Sequence, residues 1–293
     1  MQPPNDSAVA SSLHAHGPPG RRPRRRPPCA LAPLVLLAAG AVPLVLGAAG
    51  CNAIAQLNVV PVERDSVLGA EAYPQLLQSE QLITSGAEYT AVVEMTARLV
   101  ESALEIDPEI ASLFDWEVKL VRRDDLVNAW CLPGGKMAVY TGILPVAAGG
   151  DVDLQTGLAV VMGHEIAHAT LRHGTRAMTR QMGFGAFVAL FTGLVGARAD
   201  EDVTQLAALG ATLASNLGSL TFGRSAELEA DRRGLMYMAH AGYDPREAVG
   251  FWQRMNAAAG GASPPEWLST HPTNERRIAQ IESLLPEVLP IYQ

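Results

Sequence analysis

The chemistry in this sequence is concentrated in His164-Glu165-Ile166-Ala167-His168. Residues four apart lie on one helix face. Two imidazoles at that spacing can bind one zinc ion and leave Glu165 beside the water that the ion activates. This is the zinc-peptidase arrangement, with the glutamate as general base. A catalytic zinc site also needs a third protein ligand and an open position. Leu171 and Gly174 stand where a metzincin would need glycine and histidine, which excludes that class. His173 lies about 140° around the helix from His168 and is a poor ligand. It reads as a helix-terminal histidine favoured by the dipole. The third ligand must come from elsewhere, and Glu227-Leu228-Glu229-Ala230-Asp231 is the best source. Glu227 and Asp231 share a face, whereas Glu229 is about 200° from Glu227. One acid can bind zinc while the other steadies a zinc-bound histidine through its second ring nitrogen. The spacing does not say which does which.

These residues need elements to position them. Asp151 or Asp153 can cap a helix running through Leu154, Leu158, Val161 and Ile166 to Leu171, with Gly174 as its stop. Residues 86–107 place Tyr89, Val92, Val93, Met95, Leu99, Val100 and Leu104 at helical spacing, and Pro108 ends that helix or begins the next turn. Residues 116–121 alternate like a strand, and residues 128–132 and 136–140 read as two more around the Pro133-Gly134-Gly135 turn. A small antiparallel sheet is expected. Residues 52–85 form a short tether and a first helix, with Pro61 and Pro74 as breaks. Residues 183–220 read as an apolar helical hairpin that can serve as lid, membrane contact or oligomer surface. Asp244-Pro245 suits a helix start, as does Pro272 for the last helix, to about Leu285. His240 reads as helix-terminal packing, and Cys131, between Trp130 and Leu132, as a buried inert thiol.

The 293 residues are 48% hydrophobic and 18% charged, ample for a core and unlike a disordered chain. The net charge of −8 argues against a nucleic-acid partner. The first 50 residues carry five arginines and one acid, followed by an apolar run over 30–46 that breaks at Gly47-Ala48-Ala49-Gly50-Cys51. A basic region, an apolar region and small residues make a secretory signal. Ala48-Ala49-Gly50-Cys51 resembles a bacterial lipobox, in which the cysteine is lipidated. Residues 1–50 are thus expected to be a signal peptide, 51–64 a lipidated N-terminus and tether, and 65–293 the catalytic domain. Asn52 after the cysteine favours the periplasmic face of the outer membrane over the inner membrane.

With the two motifs in place, the chain resembles metallopeptidase family 48, the gluzincin family with HtpX-, Oma- and BepA-type members. His164, Glu165 and His168 match its helix motif, and Glu227 and Asp231 its downstream E-x-x-x-D. Asn128 through Gly135 resembles the segment before its substrate-facing edge strand, and His271-Pro272 with Arg277-Ile278 resembles its C-terminal H-P-x-x-x-x-R-I. The resemblance is to the compact, single-domain lipoprotein members. It implies a mostly helical α+β, zincin-like domain with its small antiparallel sheet beside the active-site helix. It also implies one Zn2+ per chain on His164, His168 and Glu227, with Asp231 as partner of a ligand histidine.

By the same resemblance, Lys136, Met137, Ala138, Val139 and Tyr140 form an edge strand that binds a peptide by strand addition. His271 can contact the metal and hold the enzyme latent, donate to the developing oxyanion, or merely start a helix. Arg277 stabilises charge in the cleft or pairs with an acid. The expected function is a zinc-dependent endopeptidase of the bacterial cell envelope acting on misfolded or damaged proteins. The alternative is a zinc-containing, chaperone-like lipoprotein with latent or no activity. The sequence leaves substrate, cleavage preference and oligomeric state open.

Overall fold

A computed structural model describes residues 58, 60–181, 222–259, 265–271 and 275–292. Residues 1–50, where a signal peptide is expected, Cys51, the 183–220 segment and Pro272 lie outside the described residues. In chain order the elements are α1 (Asp65–Leu77), β1 (Leu82–Ile83), α2 (Ala87–Ile106), α3 (Pro108–Ala111), β2 (Glu117–Val121), β3 (Ala129–Cys131), β4 (Lys136–Tyr140) and α4 (Leu144–Ala147). There follow α5 (Leu154–Thr170), α6 (His173–Gln181), α7 (Arg224–His240), α8 (Glu247–Ala259), α9 (Trp267–Thr270) and α10 (Glu275–Tyr292). This is the expected α+β, mostly helical architecture.

The centre of the body is α5. Asp153 caps it, accepting from the Thr156 N–H, and every residue from Gly157 to Thr170 is buried. A helix apolar on all sides belongs inside a protein, so the histidine motif is carried into the interior. On α2, Val92, Met95, Leu99 and Ala103 recur at helical spacing and are buried against this core. On the other side lies α7, and two glycines explain how closely it approaches. A Cβ on Gly163 would stand 2.9 Å from the Gly234 carbonyl oxygen, and one on Gly234 would stand 2.8 Å from His164 N. Only glycine permits that backbone contact, which brings Glu227 and Asp231 within reach of the α5 histidines.

The sheet order is β1-β2-β4-β3. This corrects two expectations. The sheet is mixed, because β2 and β4 run parallel, with Val118 opposite Met137, while β1–β2 and β3–β4 are antiparallel. After β2 the chain crosses to the far edge for β3. It then turns back through Gly134 and Gly135, both at positive φ (81° and 92°), to lay β4 between the two. Lys136–Tyr140 is therefore an interior strand, buried along its whole length, and not the edge. The outer strand is β3.

Three local expectations also change. Pro74 does not break its helix but lies within α1. Burial of Leu68, Ala72 and Tyr73, and a 2.8 Å hydrogen bond from Tyr73 Oη to the Met137 carbonyl, outweigh the bond proline forfeits near the helix end. Gly174 does not stop the motif helix. The left-handed residue is Arg172 (φ 59°), held by hydrogen bonds from Nε to Asp65 Oδ2 at 2.7 Å and from a terminal nitrogen to the Val60 carbonyl at 2.6 Å, and Gly174 lies inside α6. The folded body also begins before residue 65, because Val60 is buried with Leu68, Tyr73 and Trp130.

Candidate metal centre

His164 and His168, one turn apart on α5, bring their Nε2 atoms to 2.9 Å from each other. From α7, Glu227 Oε1 stands 3.4 Å from His168 Nε2, and Oε2 stands 3.5 Å from His164 Nε2. His271, directly after α9, places Nδ1 3.3 Å from His164 Nε2 and 3.1 Å from Glu227 Oε1. One ligand atom from each of these four buried residues lies within 4.8 Å of all the others. A tetrahedron with zinc-length arms of roughly 2.0–2.1 Å has edges of roughly 3.3 Å. The spacings fit that ion, and the donor set of three imidazoles and a carboxylate suits its chemistry.

The outer nitrogens of the two helix histidines are held differently. His164 Nδ1–H donates to Asp231 Oδ1 at 2.9 Å. Asp231 is itself clasped by Arg277, Nε to Oδ2 at 2.9 Å and a terminal nitrogen to Oδ1 at 2.7 Å. The other terminal nitrogen of Arg277 lies 2.7 Å from Glu227 Oε2. Arg277 thus sits behind the ligands and pairs with two acids. Burial would raise the Asp231 carboxyl, but Arg277 and His164 bring it below its ordinary value. Burial and Arg277 press the His164 imidazolium down, yet Asp231 and Glu227 outweigh them and lift it to about 9. A metal ion held at Nε2 would take the place of that proton.

His168 is held by a relay. Its Nε2 faces the donor set, so its Nδ1–H donates to His173 Nδ1 at 2.9 Å, and His173 Nε2–H donates to Glu229 Oε2 at 3.3 Å. Burial lowers His173 to about 4, which keeps Nδ1 a free acceptor. The helix-dipole role expected for His173 is therefore wrong. Angular position on a continuous helix is the wrong frame, because the chain turns at Arg172 and starts α6 at His173. Phe222, which no motif marks, lies over the ring of His168 at 4.1 Å and stacks on His271 at 5.3 Å.

Glu165 points into the same space. Its Oε1 accepts from the Trp267 indole N–H at 2.6 Å and lies 3.3 Å from His271 Nε2. A cavity of about 300 Å³ opens here, lined by Glu165, His168, Phe222 and His271 on one side and by Ala129 and Cys131 of β3 on the other. On either side of β3, the Leu132 N–H bonds to the Lys136 carbonyl and the Tyr140 N–H to the Asn128 carbonyl. The alternation of an antiparallel ladder then turns the N–H and C=O of Ala129 and Cys131 away from β4. The Ala129 N–H is taken by Asn128 Oδ1 at 2.9 Å. Cys131 is free and half-buried at the cavity wall, not fully buried as expected, and desolvation, then the nearby Glu165, pushes its thiol well up.

Comparison with known proteins agrees with this geometry. The Peptidase family M48 model matches residues 89–285, which include every donor above. The chain belongs to peptidase family M48. Zinc is the family's metal, and the His164, His168, Glu227 and His271 set accommodates it. The bovine mitochondrial metalloendopeptidase OMA1 is 34% identical over 237 residues, covering 78% of this chain and 43% of that protein. OMA1 of Schizosaccharomyces pombe is 32% identical over 237 residues, 79% of this chain and 64% of its own. A putative beta-barrel assembly-enhancing protease of Vibrio cholerae is 30% identical over 225 residues, 75% and 44% respectively. This M48 chain therefore spans about two fifths to two thirds of the length of these relatives.

Proposed function

We propose that the protein is a zinc-dependent endopeptidase that cleaves extended, misfolded or damaged polypeptides in a bacterial cell envelope. The observation that carries this reading is the placement of Glu165 between the donor set and the outer strand β3. A zinc ion, when bound, supplies Lewis acidity toward a peptide carbonyl and acidifies water. His164, His168 and Glu227 would hold it. Glu165 accepts the proton from water and delivers it to the leaving amine. A substrate in extended form pairs with the outward Ala129 C=O and the outward N–H and C=O of Cys131, and the cavity receives a neighbouring side chain. Main-chain pairing selects for an unfolded segment more than for particular side chains. Names among the relatives that point to beta-barrel assembly support an envelope role, as does the secretory pattern before Cys51, where a lipid anchor would tether the protein.

A second reading has its own support. Four protein donors complete a tetrahedron, whereas a catalytic zinc site keeps one position open. With His271 in the set the enzyme is latent, and in that state it can bind misassembled envelope proteins without cleaving them. Casein cleavage by the full chain in detergent, beside Glu165→Gln, with bound zinc quantified in both, tests the proposal. Cleavage by the parent alone at equal zinc supports the endopeptidase. No cleavage by a zinc-loaded parent that is relieved by His271→Ala supports latency. No cleavage by either zinc-loaded protein sinks the enzymatic reading.

A further inference from the structure

Latency through His271 involves only the metal-facing side of the site. The general base has its own restraint, and it comes from the same turn of chain. Trp267 opens α9 and is 1% exposed. Its indole N–H donates to Glu165 Oε1 at 2.6 Å. His271 Nε2 stands 3.3 Å from that same oxygen while Nδ1 faces the donor set. The nitrogen roles follow: with Nδ1 as metal ligand, Nε2 carries the proton and faces Glu165. One carboxylate oxygen therefore receives the indole N–H and stands against the imidazole N–H of a residue four further on. Those two residues are tied to each other by a 3.0 Å hydrogen bond from the His271 N–H to the Trp267 carbonyl. The Trp267 backbone N–H reaches the Val127 carbonyl at 3.3 Å, just ahead of the outer strand β3.

We propose that Trp267 is the second contact of a two-point latch: as His271 enters the donor set, the Trp267 indole engages Oε1 of Glu165 and fixes its carboxylate, and both are released together. The inference rests on the reading of His271 as a metal ligand in the latent state. A general base must lie within hydrogen-bond reach of the water it deprotonates, and here the indole holds Oε1 and so sets the orientation of the carboxylate. The ring itself is held separately. It stacks on Trp252 with centroids 5.1 Å apart and meets the His164 ring edge-on at 5.6 Å. Trp267→Phe removes the N–H donor together with part of this stacked ring, so the comparison with His271→Ala and the double variant separates the polar contact from the packing, and Trp267 is a positioning residue.

Trp267→Phe, His271→Ala and the double variant, each in the full-length zinc-loaded protein, provide the test. The probe is acetohydroxamate, a small zinc chelate that must displace a protein donor to bind. Loss of one hydrogen bond to a carboxylate is expected to tighten acetohydroxamate binding about tenfold in Trp267→Phe, at unchanged zinc content. His271→Ala tightens it further, and the double variant is no tighter than His271→Ala alone, because both substitutions open one latch. Parent-like binding by Trp267→Phe beside tighter binding by His271→Ala overturns this inference and spares the His271 reading. Parent-like binding by His271→Ala overturns the reading itself. A fall in kcat for Trp267→Phe with unchanged acetohydroxamate binding would place the indole in catalysis instead and also overturns the latch. Should the Phe variant fail to fold, the indole N–H resonance of Trp267 in the unaltered protein decides. Saturating acetohydroxamate is expected to shift it upfield as the bond to Glu165 breaks, and an unmoved resonance contradicts the proposal.

Discussion

The two histidines of the motif helix face the same donor set but are supported in opposite ways. His164 leans on a carboxylate, Asp231, that is buried and clasped by Arg277. His168 leans on a neutral histidine, and the charge at the far end of its relay, Glu229, has a side chain 42% exposed. The first support is electrostatic, dry and shared with the third ligand, since Arg277 also reaches Glu227. The second is a pair of neutral imidazoles whose last hydrogen bond goes to a half-buried carboxylate. Orientation of a ligand ring thus needs a fixed acceptor and not a fixed charge. What the charge adds is cost when the arrangement is broken, because a buried ion without its partner is strongly destabilising.

Substitutions that separate the supports should therefore differ in size. Asp231→Ala strips the partner from both His164 and Arg277. It is expected to cost about 3–5 kcal/mol of stability in a denaturant titration and about 10–100-fold in zinc affinity. A loss below about 1 kcal/mol, the range of an ordinary exposed pair, would mean that Arg277 finds another acid and that the two supports are alike. Gly234→Ala attacks the geometry under both, since its Cβ would stand 2.8 Å from His164 N. Parting α5 from α7 should cost about 1–3 kcal/mol and weaken zinc binding as well. A variant that melts earlier but binds zinc as the parent does would show that helix contact does not set the ligand positions.

His173→Ala removes the relay without exposing a charge. Zinc affinity, read by competition with a chromophoric chelator, is expected to fall about tenfold, with little change in thermal midpoint. Unchanged affinity would return His173 to a packing role. Glu229→Gln is the mildest, because its exposed carboxylate contributes little through solvent. It is expected to change zinc affinity less than about twofold, and a larger loss would mean that charge is transmitted through the relay.

Much of this arrangement is legible in spacing alone. Residues four apart on a helix are neighbours whatever the fold, so His164 pairs with His168, and Glu227 with Asp231, on the sequence by itself. Spacing does not divide the labour between the two acids. Resemblance to the family gives Glu227 to the metal and Asp231 to the histidine, and in the fold Glu227 faces both Nε2 atoms while Asp231 takes His164 Nδ1. The helices over 87–106 and 154–170 and the three main strands are likewise visible in their periodicities. The part that depends on topology is not. The turn at Pro133-Gly134-Gly135 and the apolar run after it mark Lys136–Tyr140 as a strand but do not say which strands flank it, so the interior β4 is taken by resemblance for an edge. The angle of His173 presumes a helix that in fact ends at Thr170. The positive φ at Arg172 has no local signal, because it depends on Asp65 and Val60, more than a hundred residues away. Trp267 carries no motif, and only its contact with Glu165 marks it out.

The most direct test of the account is zinc K-edge absorption fine structure on the full-length protein. One zinc per chain is expected, with four nitrogen and oxygen neighbours at about 2.0–2.1 Å, imidazole scattering from three histidines and no sulfur. A sulfur shell at about 2.3 Å, or a folded protein that takes up no zinc, would contradict it.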